Sequence, residues 1–293
     1  MSLWVFVTLL AAAAQTTRFV LQKRLGQGGL SATGATFARF LYAAPLALLA
    51  AMVTSRVLEV PVPPLSLRFW GFVAAGGLAQ IVATELTVRL FALRNFAVGV
   101  SFTKTEVVLV ALFSGLVLGE VPSVPAMVAI GIGLAGVIAM ARAGGEVAGR
   151  AVWMGLAAGA LFGVAATGYR GAALALEPAP FFLRATVALA AATALQTVAM
   201  ALWMAMRDPG ALARVLRGWR VTAPVGLMGM LGSLGWFTAF SLQAAPYVRA
   251  LGQVELLFTL AASVVIFGER PRLRELAGIA LIGVSVLVLV ISA

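Results

Sequence analysis

Ten apolar runs, each close to the roughly 20 residues that a helix needs to cross a bilayer core, follow one another along this chain with only short polar breaks. They fall at 3–22, 32–53, 69–91, 97–118, 124–141, 151–170, 180–205, 220–243, 247–267 and 274–292. Lipid offers no partner to free backbone N–H and C=O groups, so each run is predicted to be a transmembrane helix. The breaks carry helix-ending residues: Gly-Gln-Gly-Gly at 26–29, Pro-Val-Pro-Pro at 61–64, Pro122, Gly144-Gly145, Glu177-Pro178, Asp208-Pro209-Gly210, Pro246 and Pro271. The first run lacks the preceding basic residue of a secretory signal and is expected to stay as a span. No segment is long and polar enough to form a separate soluble domain.

Composition narrows the function. Charged residues make up 11% of the chain, against about 25% in soluble domains. The net charge of +11 is spread between apolar runs rather than gathered in one patch with interleaved aromatics, which argues against nucleic acid as a partner. Cysteine and histidine are absent. Disulfides, thiolate chemistry and zinc–thiolate sites are thereby excluded, and so are histidine-based triads. Asp208 is the lone aspartate, and the loop acids are scattered. The inventory points away from an enzyme, and no cofactor or metal is expected.

The two halves share one register. Trp4 and Trp153, Arg68 and Arg217, Trp70 and Trp219, Gly77 and Gly226, and Phe91 and Phe240 are all 149 apart. So are Glu106 and Glu255, Ser114 and Ser263, Gly119-Glu120 and Gly268-Glu269, and Pro122 and Pro271. Five spans per half return the chain to the opposite side, so the second half is expected to be inverted. The predicted fold is an all-α polytopic membrane protein of ten helices, with a first five-helix repeat over 1–146 and an inverted one over 147–293. Inverted repeats build two exchangeable states around a site near the bilayer midplane.

Basic residues set the expected orientation. Loops after odd-numbered spans carry thirteen Lys and Arg: Lys23, Arg24, Arg89, Arg94, Arg142, Arg150 and seven from Arg207 to Arg274. Only Arg56, Arg68, Arg170 and Arg249 lie near the other side. The positive-inside rule then puts both termini outside.

Glycine patterns read as packing. Gly131-Ile-Gly-Leu-Ala-Gly136 fits a dinucleotide fingerprint, but it sits within an apolar run without the strand and acidic residue the motif needs. Gly155, Gly159 and Gly163 on span six suit close helix contact. Gly226, Gly229, Gly232 and Gly235 recur every third residue on span eight, and packing is favoured there over lining a path.

Polar groups inside the runs are the candidate site. Gln80, Thr84 and Thr87 share one face of span three, and Glu85 and Arg89 are placed to pair. Gln15, Ser101, Tyr169, Trp236 and Gln253 are further polar or amphipathic groups within spans. Lys104 and Glu106 lie two apart, about 200° around an α-helix, so they are expected to seek partners elsewhere. Intramembrane charges are costly and mark pathways or buried networks.

These features together resemble the EamA repeat of the drug/metabolite transporter superfamily. Each half has a mid-helix acid, Glu106 or Glu255, then a Gly-Glu ending fourteen residues later, then a glycine-rich helix. Arg39 and Arg184 resemble that family's second-helix arginine. Gly136 matches its late glycine, which Ser285 replaces in the second half. Val107 and Leu256 stand where the family often has proline, and the charge count is opposite to its usual topology. Among its members the YddG-type amino acid exporters are most similar in size and general look.

The resemblance implies a monomeric inner-membrane exporter, embedded in membrane lipid, of small molecules such as amino acids, including aromatic ones. The expected substrate-binding set is Gln80, Thr84, Ser101, Lys104, Trp236 and Gln253, in a cavity bordered by spans three, four, eight and nine. Glu106 and Glu255 are the coupling or bracing charges, with Glu106 expected to hold a lysine or substrate ammonium and Glu255 to be the more protonatable. The alternative is a lipid-handling or structural membrane protein without solute transport.

Overall fold

A computed structural model describes residues 2–93, 100, 102–143, 149–268 and 273–292. The regular structure there is helical: α1 (Leu3–Gln27), α2 (Ala32–Val57), α3 (Leu67–Leu93), α4 (Glu106–Leu118), α5 (Val124–Ala143) and α6 (Gly149–Leu174). They are followed by α7 (Phe181–Arg207), α8 (Pro209–Arg217), α9 (Trp219–Leu242), α10 (Ala245–Leu251), α11 (Glu255–Phe267) and α12 (Leu273–Ser292). Every predicted apolar run carries helix. Six stretches, 3–27, 32–57, 67–92, 181–207, 219–242 and 245–267, are each long and apolar enough to cross a membrane on their own terms. Val124–Gly136 and Leu276–Val288 are shorter apolar helices. The fourth run is not one α-helix: a 3-10 turn at Phe102–Thr105 precedes the 13 residues of α4.

Local chemistry accounts for the helix ends. The Ser31 hydroxyl accepts the Gly34 N–H at 3.1 Å to start α2, and Asp208 accepts the Ala211 N–H at 2.9 Å to start α8. Gly119 (φ 72°) ends α4 and Gly268 (φ 65°) ends α11, in the left-handed conformation that suits glycine. The 149-residue register therefore reappears as structure. Both α4 and α11 have 13 residues, follow a 3-10 turn, open on glutamate and close on a left-handed glycine. Glu269, Pro271, Gly144 and Gly145 lie outside the described residues.

Packing partners come in exchangeable pairs. α3 packs chiefly on α6 and α1 on α9; α4 packs on α6 and α11 on α1. α2 pairs with α7, and α5 with α12. Swapping the first five spans for the last five maps this pattern onto itself.

Small residues permit the close approach. A Cβ on Gly168 would sit 2.9 Å from the Phe72 carbonyl, and one on Gly136 2.7 Å from the Gly278 carbonyl. Gly133 and Gly136 of the apparent dinucleotide fingerprint are thus α5 surface buried on α12, while Gly131 is exposed. Gly159 faces Thr105, and Gly163 faces Leu109 and Phe113, so the span-six glycines serve contact with the turn before α4 and with α4 itself. Gly136→Val should push α5 from α12 and lower stability by about 1–3 kcal/mol. Gly131→Ala, with nothing within 4 Å of its Cβ position, should be neutral or stabilising; thermal unfolding in detergent measures both.

Candidate functional site

The buried charges are held by helix starts. Glu106 and Glu255 are the first residues of α4 and α11, where the positive end of the helix dipole favours a carboxylate. Lys104 lies in the 3-10 turn ahead of α4, and Arg249 lies in α10. All four side chains are buried. Lys104 Nζ is 2.5 Å from Glu255 Oε2 and 3.6 Å from Glu106 Oε1. Arg249 Nη2 donates to Glu106 Oε1, and Gln15 Nε2 donates to Glu255 Oε2 at 2.8 Å. Each half thus supplies one base and one acid, and the pairs cross between halves.

Two expectations are corrected here. Lys104 and Glu106 do approach within ion-pair distance, because residues 102–105 form a 3-10 turn and the two do not follow α-helical spacing. Lys104 also makes its shorter contact with Glu255, not with Glu106, the glutamate expected to hold a lysine. The repeat does not supply these bases. Lys104 corresponds to Gln253, and Arg249 corresponds to Val100.

A cavity lies beside this cluster, lined by Gln15, Gln80, Phe162, Ala165, Ala166, Tyr169, Ser233, Trp236, Phe237, Phe240 and Arg249. It holds about 30 Å³ of free space, enough for little more than one water. The walls are α1, α3, α6, α9 and α10, so spans one and six border it in place of the expected span four. One wall is polar. Tyr169 donates to Gln80 Oε1 at 2.8 Å, and Gln196 Nε2 donates to the same oxygen at 2.9 Å. Trp236 Nε1 donates to Gln15 Oε1 at 3.0 Å, and the Arg249 guanidinium lies 4.5 Å from the Trp236 ring centroid. The other wall is aromatic, with Tyr169 and Phe237 centroids 4.3 Å apart.

The predicted set is therefore split. Gln80 and Trp236 line the cavity. Thr84 accepts from Arg39 Nη1 at 2.9 Å instead, and Thr87 bonds back to the Ala83 carbonyl at 2.8 Å. Gln253 is buried against the α5–α12 contact, near Gly133 and Ser285, with both amide atoms unpartnered. It is absent from the cavity lining: in the 3-10 turn at Gly252–Val254 it is Gly252 that faces the Trp236 ring, while Gln253 lies against α5. Ser101 lies outside the described residues. Glu85 and Arg89 pair as expected.

Arginines carry more of the site than sequence reasoning assigned. Arg18 and Arg249 were missed. Arg18 had a signal: Gln15, Arg18 and Gln22 form a polar stripe at helical spacing on an apolar run. Arg39 Nη2 also donates to Ser233 Oγ at 3.3 Å, tying α2 to α9. Arg184 pairs with Glu177 Oε1 at 2.5 Å and donates to the Ser241 carbonyl at 3.1 Å.

The end of the bundle carrying the loops after even-numbered spans, hereafter the even end, is tied across halves. Arg170 Nε lies 2.7 Å from Glu120 Oε1, its Nη1 donates to the Phe240 carbonyl at 2.6 Å, and Ser123 N donates to Tyr247 OH at 3.1 Å. Recesses of about 550 and 430 Å³ lie toward the odd end, the first lined partly by Arg24, Arg214 and Arg220, the second by Gln22, Lys23 and Arg89.

Breaking a buried pair from one side leaves an uncompensated charge, at about 3–5 kcal/mol. Lys104→Met should therefore destabilise strongly, and Lys104→Met combined with Glu255→Gln should recover part of the loss. Denaturation of the single and double variants in detergent measures that coupling.

Comparison with known proteins agrees with this architecture. Residues 2–142 match the EamA-like transporter family, a family of transporters and not of enzymes. A solved crystal structure matches with a TM-score of 0.65 at 19% identity, over 97% of this chain and 99% of that one, a likeness of fold. Among curated proteins none matches.

Proposed function

We propose that this protein exports small polar metabolites, amino acids including aromatic ones first among them, a reading supported by the match of residues 2–142 to the EamA-like transporter family. It works by alternating access between two inverted halves, 1–146 and 147–293. One observation carries the reading: a polar and aromatic cavity within the bundle, walled by spans from both halves, beside ion pairs that cross between them. A bundle held only by packing would fill that space with apolar side chains, so a cavity lined by Gln15, Gln80, Tyr169 and Arg249 supports the transport reading.

The even-end ties and the odd-end recesses describe one of the two states. To reach the other, Glu120 must leave Arg170, and the halves must rock about the crossed pairs. Lys104 lies close to both glutamates, so it can exchange between carboxylates as the halves move without becoming unpaired. The aromatic wall accepts side chains of varied shape, consistent with broad selectivity.

Uptake of a panel of labelled amino acids into proteoliposomes, with and without a pH gradient, tests the reading. Ala166→Leu, which overfills the cavity, should cut uptake about tenfold or more at a cost of about 1–3 kcal/mol in stability with the fold retained, whereas the lipid-facing Leu202→Phe should be silent. Wild-type uptake by Ala166→Leu, or no uptake of any metabolite by the native protein, would overturn the proposal.

Orientation follows from the basic count, and the short helix α8 supports it. Arg214 and Arg217 lie in its last turn, while Ala211 and Val215 pack into the bundle against Phe37, Met200 and Met204, so this basic helix is fixed to the odd end. A cysteine at the exposed Leu216 should resist an impermeant thiol reagent in intact cells and react after permeabilisation. The chain has no other cysteine, so labelling in intact cells would reverse the assignment.

A further inference from the structure

The ion-pair network leaves two buried cations over. Within the bundle core, Glu106 and Glu255 are the buried acids, and they are engaged by Lys104 and Arg249. Among the described residues neither Arg18 nor Arg39 forms an ion pair, although both are buried to 2% exposure. Glu255 is the acid whose field reaches Arg18; its Oε2 already accepts from Lys104 and Gln15, and its Oε1 is buried with no donor, Arg18 included.

These two arginines converge on one point. A Cβ placed on Gly229 would lie 2.9 Å from Arg39 Cγ and 3.4 Å from Arg18 Cδ. Gly229 therefore leaves room for both side chains, a role beyond helix packing. Arg18 donates through Nη1 to Gln22 Oε1 at 3.0 Å, while its Nη2 is buried with no acceptor. Arg39 donates to two hydroxyls, Thr84 and Ser233, and the Arg39 and Arg18 guanidinium groups lie 5.0 and 4.3 Å from the Phe40 and Phe19 ring centroids, contacts that use no N–H in an ion pair. Each guanidinium has five N–H donors, so both retain donors to spare.

Two like charges side by side, without an acid, are costly in a membrane interior unless something negative visits them. Their position suits a visitor. Gln22 lines the 430 Å³ recess at the odd end, and Ser233 lines the central cavity. The arginines stand between the two. We propose that Arg18 and Arg39 bind the carboxylate of the transported solute, so that carboxylate-bearing metabolites are carried and amines lacking a carboxylate are not. The guanidinium fork matches a carboxylate in shape as well as charge. The inference rests on the transport reading for its biological meaning, but the binding site can be tested without it.

The test is thermal unfolding of the purified protein at matched ionic strength in chloride. The probes are acetate and 3-phenylpropionate as carboxylates, phenethylamine as an amine, and acetamide as a neutral control. Both carboxylates should raise the unfolding temperature saturably, and the amine and amide should not. Arg18→Gln should weaken the carboxylate effect about tenfold or more, the loss of one charge-assisted hydrogen bond. Arg39→Lys keeps the charge that the fold needs but removes the fork, and it should weaken binding in the same way. Absence of a carboxylate effect, an equal effect of phenethylamine, or unchanged binding in both variants would overturn the proposal. Transport separates the two ideas. Carboxylate binding lost in Arg18→Gln, in a protein that moves no solute in proteoliposomes, sinks transport and keeps the site. Uptake of amines unaffected by either variant does the reverse.

Discussion

A bilayer gives a buried charge nowhere to turn except to another part of the protein, and the architecture follows from that. Lys104, Glu106, Arg249 and Glu255 pair with one another across the two halves. The pairing requires α4 and α11 to begin at the same depth, and each does so after a 3-10 turn that places its glutamate at the positive end of a helix. Apolar surface cannot enforce such an alignment, because helix faces gain little by leaving lipid for one another. Charge pairs and glycine contacts supply the specificity instead.

The same constraint separates structural from functional polarity. Threonines such as Thr8, Thr16 and Thr193 spend their hydroxyls on carbonyls four residues earlier and impose nothing on neighbouring helices. Gln80, Tyr169 and Gln196 bond one another across α3, α6 and α7. Arg39 links three helices through two hydroxyls. Polar groups of this second kind border the cavity, where a change in helix position changes their partners, a sensitivity that the proposed alternating access would require.

The two ends of the bundle differ in the strength of their ties. At the even end, Glu120 gathers Ser114, Arg170 and the Ala245 N–H, while Arg184 joins Glu177 to the end of α9. Ionic ties partly open to solvent can form and break at modest cost. In the proposed transport cycle they would latch one state, in contrast to the crossed pairs deeper in the bundle, whose partners are too buried to be left alone.

Much of this was legible in the chain. Apolar runs of bilayer length dictated helices, the 149-residue register dictated matching elements, and the absence of cysteine and histidine removed whole classes of chemistry. Glu106 and Glu255 stood out because a carboxylate in an apolar run is rare for energetic reasons. Which base meets which acid was decided only by tertiary structure. Arg249 has valine as its repeat counterpart and Lys104 has glutamine, so no internal symmetry announced the crossed pairs. A short 3-10 turn brought Lys104 near Glu106 against α-helical spacing, and in another it is Gly252, not Gln253, that faces the Trp236 ring. Helical periodicity is a local property of the backbone and can be read along one run. Partnership between runs depends on rotation and depth set by every contact at once, and a one-dimensional pattern does not carry that information.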